Sequence, residues 1–275
     1  MLRTVRMELR ASYAFIERNI NLMRRYMGWE IVWFAYSLAS ALSITYIGAA
    51  MERISGTSVN TDYLILYLLI GTLVWRFLSV VFNDISEMIQ WERWEGTIEY
   101  TLMAPIHRLT HMMGQTAFAV LHGAIFTLAI AGVIVLFFHI SLAQANLLGS
   151  TLMLIAGSLS FIGMGIMASV LPLLFPERGA QMTNVVQALL LLFSGVYYPV
   201  DVLPSWMQLI ARASPATYVL EGIRQAILNG VPTRALLPTI LYLVAVGIGL
   251  MVVGLWVFEQ AERYAKRTGK LKRNG

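Results

Sequence analysis

The chain has 275 residues, of which 58% are hydrophobic and only 13% are charged, and its mean hydropathy is +0.68. Soluble globular proteins carry about 25% charged residues, so this composition excludes a soluble enzyme, a disordered segment and a disulfide scaffold. The absence of cysteine excludes thiolate chemistry. The formal net charge is +5, but 12 of the 20 lysines and arginines lie in residues 1–27 and 259–275. Basic ends beside apolar segments indicate membrane topology rather than binding to nucleic acid.

Residues 1–27 are predicted to form an amphipathic helix that lies along the inner membrane interface. Its apolar residues recur every three or four positions and form one stripe, which comprises Leu2, Val5, Leu9, Tyr13, Ile16, Ile20 and Met23. Arg3, Arg6, Arg10 and Arg18 fall on other faces, where they would meet lipid phosphates. The pattern fits both a simple topology anchor and a helix with a mechanical role.

Six apolar segments are long enough to cross a bilayer as helices. They are residues 28–50, 62–83, 109–138, 147–175, 179–199 and 235–258. An even number of spans places both ends of the chain on one side. If that side is the cytoplasm, cytoplasmic segments hold 15 of the 20 lysines and arginines, and outer segments hold four. This bias predicts an all-α, six-span membrane bundle with both termini in the cytoplasm, the second of them a basic tail.

The segment between the second and third spans, residues 84–108, is unusually acidic for a cytoplasmic loop. It holds five acidic residues and two arginines, although the cytoplasmic lipid surface favours basic residues. Within it, the stretch from Trp91 to Tyr100 combines tryptophans with carboxylates, which is typical of a short helix presented to a basic protein partner. The alternative is a solvated interface helix with tryptophan anchors.

The outer segment between the fifth and sixth spans is apolar and contains two helices that are too short to cross a membrane. The signals that bound the longer helix are Ser214 and Pro215 at its start and Gly230 and Pro232 at its end. We expect residues 200–230 to form a re-entrant helical hairpin that enters the outer leaflet and returns. Glu221 and Arg224 are one turn apart and can pair there. A plain interfacial loop is the alternative.

Polar side chains gather in two of the spans. The first span has Trp33, Tyr36, Ser37 and Ser40, and the fifth span has Asn184, Gln187 and Ser194. Such side chains are expected to face protein or water, so they either line a translocation path between two copies of the chain or hydrogen-bond to other helices. His122, near the middle of the third span, is either a pathway residue or a neutral histidine bonded to a neighbouring helix.

The sequence contains no motif for nucleotide binding or hydrolysis. It has no GxxxxGK[ST] phosphate-binding loop, no HExxH and no GxSxG. His107 and His111 are four residues apart but have no evident third ligand, so we expect no metal site. The span centres also lack the lysines and acidic residues on which gradient-driven carriers usually depend. We therefore expect the energy source to lie on another polypeptide.

Two stretches together resemble the signatures of type-2 ABC exporter permeases. The first is Glu95-Gly96-Thr97-Ile98-Glu99 followed by Met103-Ala104-Pro105, which resembles that family's E-G-T-hydrophobic-E … P signature. The second resembles the family's outer hairpin and comprises Ser194-Gly195-Val196-Tyr197-Tyr198-Pro199, Leu203-Pro204, Pro215, Tyr218, Glu221 and Arg224. Both occur in the expected order and between the expected spans, and the resemblance extends over nearly the whole chain.

The resemblance implies a dimer of membrane domains that works with two separate cytoplasmic ATPase subunits. ATP and Mg would bind to the ATPase, while this chain would bind no cofactor and would not be an enzyme. The residues implied in ATPase coupling, as a cytoplasmic coupling helix, are Glu92, Trp94, Glu95, Gly96, Thr97, Ile98 and Glu99. The residues implied in the outer gate are Pro199, Pro204, Pro215, Tyr218, Glu221 and Arg224. The polar residues of the first and fifth spans would line the path.

The function that the resemblance predicts is outward transport of a small amphipathic molecule, a drug or a lipid-like substrate across a prokaryotic cell membrane by alternating access. The second permease is either an identical copy or a sister chain. Polysaccharide or glycolipid export by the same family is the alternative substrate class. A different class, an intramembrane enzyme or an assembly factor, would need polar catalytic groups clustered at one depth.

Overall fold

A computed structural model of the chain describes residues 2–56, 58, 60–138 and 144–271, with side chains from residue 6 onward except that of residue 55. Within these residues every regular element is helical. The helices are α1 (Leu2–Arg25), α2 (Met27–Ser55), α3 (Thr61–Glu95), α4 (Ile98–Met103), α5 (Arg108–Phe138), α6 (Leu147–Ala168), α7 (Val170–Leu174), α8 (Gly179–Phe193), α9 (Ser205–Ala213), α10 (Pro215–Leu228) and α11 (Thr233–Thr268). Residues 272–275 of the predicted tail lie outside the described part, as do the side chains of Leu2 and Val5 in the predicted stripe and that of Arg3 on another face.

Five stretches of helix are long and apolar enough to cross a membrane, namely α2, α3, α5, α6 with α7, and α11. The chain is therefore an integral membrane helical bundle. The segment predicted as the fifth span, residues 179–199, contains only the 15-residue helix α8. At a rise of 1.5 Å per residue α8 is about 22 Å long, which is less than the hydrocarbon thickness of about 30 Å. The count of six spans, which needs residues 179–199 to cross the membrane, therefore stays a prediction.

Helix α3 is the central element of the fold. It packs against α2, α5, α6 and α10, and the side chains of Leu78, Val81 and Phe82 are fully buried between them. Its 35 residues form one helix of about 52 Å, so it extends well beyond a single bilayer crossing. The expectation of a loop beginning at residue 84 is therefore wrong, because α3 continues without interruption to Glu95.

Helices α6 and α11 approach each other backbone to backbone. A β-carbon added to Gly163 would lie 2.5 Å from the carbonyl carbon of Leu250, and one added to Gly254 would lie 2.7 Å from the carbonyl oxygen of Gly163. Only glycine allows two helices to come this close at these positions, as is common in membrane bundles. The two helices therefore form one tightly packed unit.

Two regions, the elbow and the hairpin, lie at opposite ends of α3. The elbow comprises residues 91–108, which follow from the end of α3 through α4 to the start of α5. The hairpin comprises residues 200–230, which contain α9 and α10. Helix α10 begins at Pro215 directly after Ser214, and the chain leaves it through Gly230 at φ +61°, so the predicted bounds agree with the structure.

Candidate functional site

The elbow is a sharp bend between two helices rather than one short helix. Gly96 has φ +75°, a left-handed conformation that ends α3, and α4 begins two residues later. The hydroxyl of Thr97 donates to the carbonyl oxygen of Glu92 at 3.4 Å across the bend. The prediction of a single helix over residues 91–100 is therefore wrong, because the glycine interrupts it. Ile98 is buried under the bend and anchors α4 to the bundle.

One surface of the elbow carries aromatic and acidic side chains that are exposed rather than packed against the bundle. Trp94 is 62% exposed and Tyr100 is 79% exposed, and Glu95 and Met103 are exposed beside them. These four residues are called the elbow surface below. Large apolar side chains presented together with a carboxylate mark a surface that another protein can cover. Two of the residues predicted to contact an ATPase, Trp94 and Glu95, thus lie where a partner can reach them.

Glu92 points the other way. Its carboxylate is only 2% exposed and accepts hydrogen bonds from Arg18 at 2.6 Å and from Gln115 at 3.1 Å, and it also lies 3.1 Å from His111 Nε2. The prediction that Glu92 contacts the ATPase is therefore wrong for this conformation, since three partners from α1 and α5 surround its carboxylate. Glu92 joins α1, α3 and α5 into one unit.

Helix α1 is held against the start of α5 along its polar side. The hydroxyl of Ser12 donates to the carbonyl oxygen of Thr110 at 3.1 Å, and the carboxylate of Glu8 accepts from the hydroxyl of Thr110. A β-carbon on Gly114 would lie 2.8 Å from the carbonyl oxygen of Ser12, so α5 has a glycine where α1 crosses it. Arg18, which was expected to meet lipid phosphate, binds Glu92 instead. These contacts favour a mechanical role for α1 over a simple anchor.

The last turns of α11 also hold the elbow, in addition to α1. The buried carboxylate of Glu262 lies 2.7 Å from Arg108 Nε and 2.7 Å from Lys266 Nζ. Both cations also donate to the carbonyl oxygen of Leu102, near the end of α4. The sequence analysis missed this cluster because Lys266 reads as one more basic residue of a tail. The signal available was Glu262, an acidic residue four positions before a lysine on one helix face.

At the hairpin, Arg224 is buried and holds two backbone carbonyls. Its two terminal nitrogens donate to the carbonyl oxygens of Gly195 at 2.9 Å and Val196 at 2.6 Å, and its guanidinium lies 3.6 Å from the centre of the Tyr67 ring. Burial lowers the pKa of Arg224. Arg224 forms no ion pair with Glu221 among the described residues, so the predicted pair is wrong. The carbonyls after α8 are the partners of the guanidinium instead.

The other residues predicted at the outer gate divide into buried and exposed sets. Pro215 is buried at the start of α10, whereas Pro199 and Pro204 are exposed. The hydroxyl of Tyr218 donates to the carbonyl oxygen of Arg212 at 2.8 Å, which ties α10 to α9. Glu221 faces an open recess, where loss of water raises the pKa of its carboxyl and nearby Arg224 partly offsets that rise.

The residues predicted to line a path also divide into two sets. Trp33, Tyr36 and Ser40 are exposed on α2, and Asn184 is exposed on α8. Gln187 is half-buried and accepts a hydrogen bond from Asn83 of α3 at 2.8 Å.

Ser37 and Ser194 are buried within the protomer, so their place along a path between two copies stays a prediction. Each hydroxyl donates to a carbonyl one turn earlier in its own helix, that of Trp33 for Ser37 and that of Leu190 for Ser194. A hydroxyl that is satisfied in this way needs neither water nor substrate as a partner.

His122 bridges two other helices. Its Nδ1 lies 2.6 Å from a carboxylate oxygen of Asp84 on α3, and its Nε2 lies 3.3 Å from a carboxylate oxygen of Glu30 on α2. The bond to a neighbouring helix was expected, but a neutral ring can donate through only one of its nitrogens. Both contacts can be hydrogen bonds only if the ring is doubly protonated or one of the two carboxyl groups carries a proton. The sequence analysis missed this cluster because Glu30 and Asp84 lie at the ends of the predicted spans, residues 28–50 and 62–83.

Comparison with known proteins identifies the family. Residues 91–228, from the elbow to the end of α10, match the family model described as ABC-2 type transporter, which covers half of the chain. A comparison with curated proteins finds no match. The matched range contains both the elbow surface and the hairpin, and the five long apolar helices agree with a membrane-embedded transport component. The chain belongs to the ABC-2 type transporter family as a permease component, and the ATPase activity lies on a separate cytoplasmic partner subunit.

Proposed function

We propose that two copies of this chain form the membrane domain of an ATP-driven exporter with two cytoplasmic ATPase subunits. The cargo is a small amphipathic molecule, such as a drug or a lipid-like compound, which moves outward across a prokaryotic cell membrane. ATP and Mg bind to the ATPase subunits. Both termini lie in the cytoplasm, because most of the basic residues are then on the inner side.

The observation that carries this proposal is the elbow surface and the way it is held. Trp94, Glu95 and Tyr100 are exposed at a rigid bend, while the residues beneath the bend are locked to α1 and α11 through the carboxylates of Glu92 and Glu262. A partner that moves this surface moves several helices with it. An exposed surface on a mobile loop would yield without transmitting the displacement.

Helix α3 gives the displacement a direct route to the outer side. It runs without interruption from the hairpin end at Tyr63 to the elbow at Glu95, so a tilt imposed at one end is carried to the other. ATP binds more tightly to the closed pair of ATPases than to the open pair. ATP binding therefore shifts the whole complex toward the permease state that accompanies closed ATPases. The elbows follow, the protomers rock against each other, and the path between the exposed faces of α2 and α8 opens outward.

The test is association with the cognate ATPase. The first candidate is a protein with a phosphate-binding loop that is encoded by a gene adjacent to the one for this chain. We expect Glu95→Lys to lower co-purification of the ATPase at least about tenfold, because the substitution reverses the exposed charge of the elbow surface. Glu52→Lys is the matched control. It reverses another exposed glutamate at the opposite end of the bundle and is expected to leave association unchanged.

Two results would reject the proposal. One is full association and full substrate-stimulated ATP hydrolysis by a complex that carries both Glu95→Lys and Trp94→Ala. The other is transport of cargo by the purified permease without any ATPase. Membrane insertion of each variant, measured by its yield in the membrane fraction, is expected to match that of the unmodified chain because both side chains are exposed.

A second candidate substrate class is a glycolipid or a polysaccharide. A recess at the hairpin end favours it, since tyrosine rings and uncommitted amide side chains line that recess together. Both candidates use the same elbow and the same partner ATPase, so the test above does not separate them. Transport assays with glycosylated and unglycosylated amphiphiles do.

A further inference from the structure

A recess of about 580 Å³ opens at the outer end of the protomer between α3, the residues after α8 and the hairpin. Its volume falls in the range of sites that bind small ligands, about 300–1,000 Å³. The first two turns of α3 contribute Tyr63 and Tyr67 to its lining, and α10 contributes Glu221 and Gln225. None of the roles assigned above to the elbow or to Arg224 explains why this space is open.

Tyrosine rings line the α3 side. Tyr63 and Tyr67 are one turn apart with ring centres 6.3 Å apart and planes 29° from parallel, and Tyr63 is half exposed. Tyr198 and Tyr218 complete the aromatic lining, and their hydroxyls donate to the carbonyl oxygens of Leu192 and Arg212. Because these two hydroxyls are bonded within the protein, the rings are fixed and present apolar surface to the recess.

Uncommitted polar side chains line the α10 side. Glu221, Gln225 and Asn229 are spaced four residues apart on one face of the helix and its end, and all three are exposed. In the part of the chain that the structure describes, none of their side chains forms a hydrogen bond or an ion pair. A carboxylate and two amides together offer several acceptors and up to four N–H donors at fixed spacing.

The charges of the recess cancel. Asp201 and Glu221 contribute two negative charges, and Arg212 and Arg224 contribute two positive charges. Arg224 already lies over the Tyr67 ring, which occupies the ring face that an organic cation would use. A neutral ligand is therefore favoured over an ammonium compound or an anion.

We infer that this recess binds a neutral, polyhydroxylated group of the sugar type as the polar part of the exported molecule. Flat C–H faces of such a group pack on tyrosine rings, while its hydroxyls donate to Glu221 and exchange hydrogen bonds with Gln225 and Asn229. The inference rests on the proposed function, because it assigns the cargo a head group that is held on the outer side before release.

The test is direct binding to the purified permease in a polyacrylate amphipol, which carries neither sugars nor ammonium groups. The probes are methyl hexosides and methyl N-acetylhexosaminides, followed by saturation-transfer NMR, with tetramethylammonium as the cationic comparison. We expect at least one glycoside to bind, and Gln225→Leu and Tyr63→Leu each to weaken that binding about tenfold or more. Gln181→Leu, an exposed glutamine on α8 outside the recess, is the matched control and is expected to bind normally.

Two further arms sharpen the result. Glu221→Gln keeps the size of the side chain and guards against a folding defect, and it is expected to weaken binding about threefold or more. An octyl glycoside below its micellar concentration is expected to bind more tightly than the methyl glycoside if the occupant is the head group of an amphipathic cargo. Equal affinity would identify a free sugar as the occupant and would overturn the cargo assignment.

Three outcomes would overturn the inference as a whole. They are binding of no glycoside, binding of tetramethylammonium in place of a glycoside, and glycoside binding that Gln225→Leu and Tyr63→Leu leave unchanged. Association of the unmodified chain with the ATPase is measured in parallel. If it persists while glycosides fail to bind, only the recess assignment fails; if it is absent, the proposed function fails.

Discussion

The two ends of α3 are stabilised by different chemistry. At the elbow, carboxylates are surrounded by side-chain donors, as Glu92 is by Arg18 and Gln115. At the hairpin, Arg224 binds two backbone carbonyl oxygens and stacks on a tyrosine ring. Beside it, Gly71 of α3 lies directly against the carbonyl oxygen of Val196. The elbow is thus held largely by carboxylates with side-chain partners, whereas the turn before the hairpin is held by one buried arginine.

This difference bears on how each end can move. Side-chain ion pairs can exchange partners and still satisfy every charge, so several arrangements of the elbow can have similar free energies. The guanidinium of Arg224 satisfies two buried carbonyls, and moving it away would leave both carbonyls without a hydrogen bond. We therefore expect the hairpin and the adjoining end of α3 to keep one set of contacts, whereas the elbow moves as a unit with the helices that hold it and can exchange ion-pair partners as those helices tilt.

The largest effect is expected at the hairpin. Arg224→Met leaves the carbonyl oxygens of Gly195 and Val196 without their donors, and it removes the stacking on Tyr67. We expect the free energy of unfolding to fall by about 4 kcal/mol. Denaturation of the purified protein in mixed micelles measures this change. The exposed Arg212 lies beside the same recess, so Arg212→Met serves as the control and should cost less than about 1 kcal/mol. Equal losses for both arginines would contradict the assigned role of Arg224.

The next effect is expected at the elbow. Glu92→Leu leaves Arg18 and the buried amide of Gln115 without their shared acceptor and removes the carboxylate beside His111, and we expect a loss of about 3 kcal/mol of unfolding free energy. Glu95→Leu removes an exposed carboxylate three residues away and should change stability by less than about 0.5 kcal/mol. The same denaturation assay compares the two. A larger loss for Glu95→Leu would show that the carboxylate orientations described here are reversed.

The smallest of the three effects concerns the close approach at the hairpin end of α3. A β-carbon on Gly71 would overlap the carbonyl oxygen of Val196, so Gly71→Ala should destabilise the protein by about 2 kcal/mol despite the better helix propensity of alanine. Gly249 of α11 has nothing within 4 Å of such a position, and Gly249→Ala should stabilise by about 0.5 kcal/mol. Midpoints of thermal unfolding give the sign of each change. Two changes of the same sign would contradict the packing described at Gly71.

Local signals predicted the elements better than the partners of their side chains. Ser214, Pro215 and Gly230 fixed the bounds of α10 because caps and turns depend on neighbouring residues. The inward orientation of Glu92 could not be predicted, since it depends on residues of α1 and α5 that are distant in the sequence.

The length of α8 illustrates a second limit of the sequence. Residues 179–199 contain no charged residue, and composition alone does not indicate where a helix stops. The stop at Phe193 depends on the turn at Gly195, whose carbonyl is held by Arg224. In the same way, the tail could be recognised as basic from the sequence. The contact of Glu262 and Lys266 with the elbow could not be predicted, because it depends on where α4 lies in the fold.

The tight seam between α6 and α11 makes these two helices a natural frame of reference for spectroscopy. Because the chain has no cysteine of its own, pairs of spin labels can be introduced without removing any native residue. One label placed at an exposed position of α11, such as Val252, and another on a chosen helix would report distances against this tightly packed pair of helices. Displacements of the elbow and of the hairpin during the ATPase cycle could then be recorded separately in the same molecule.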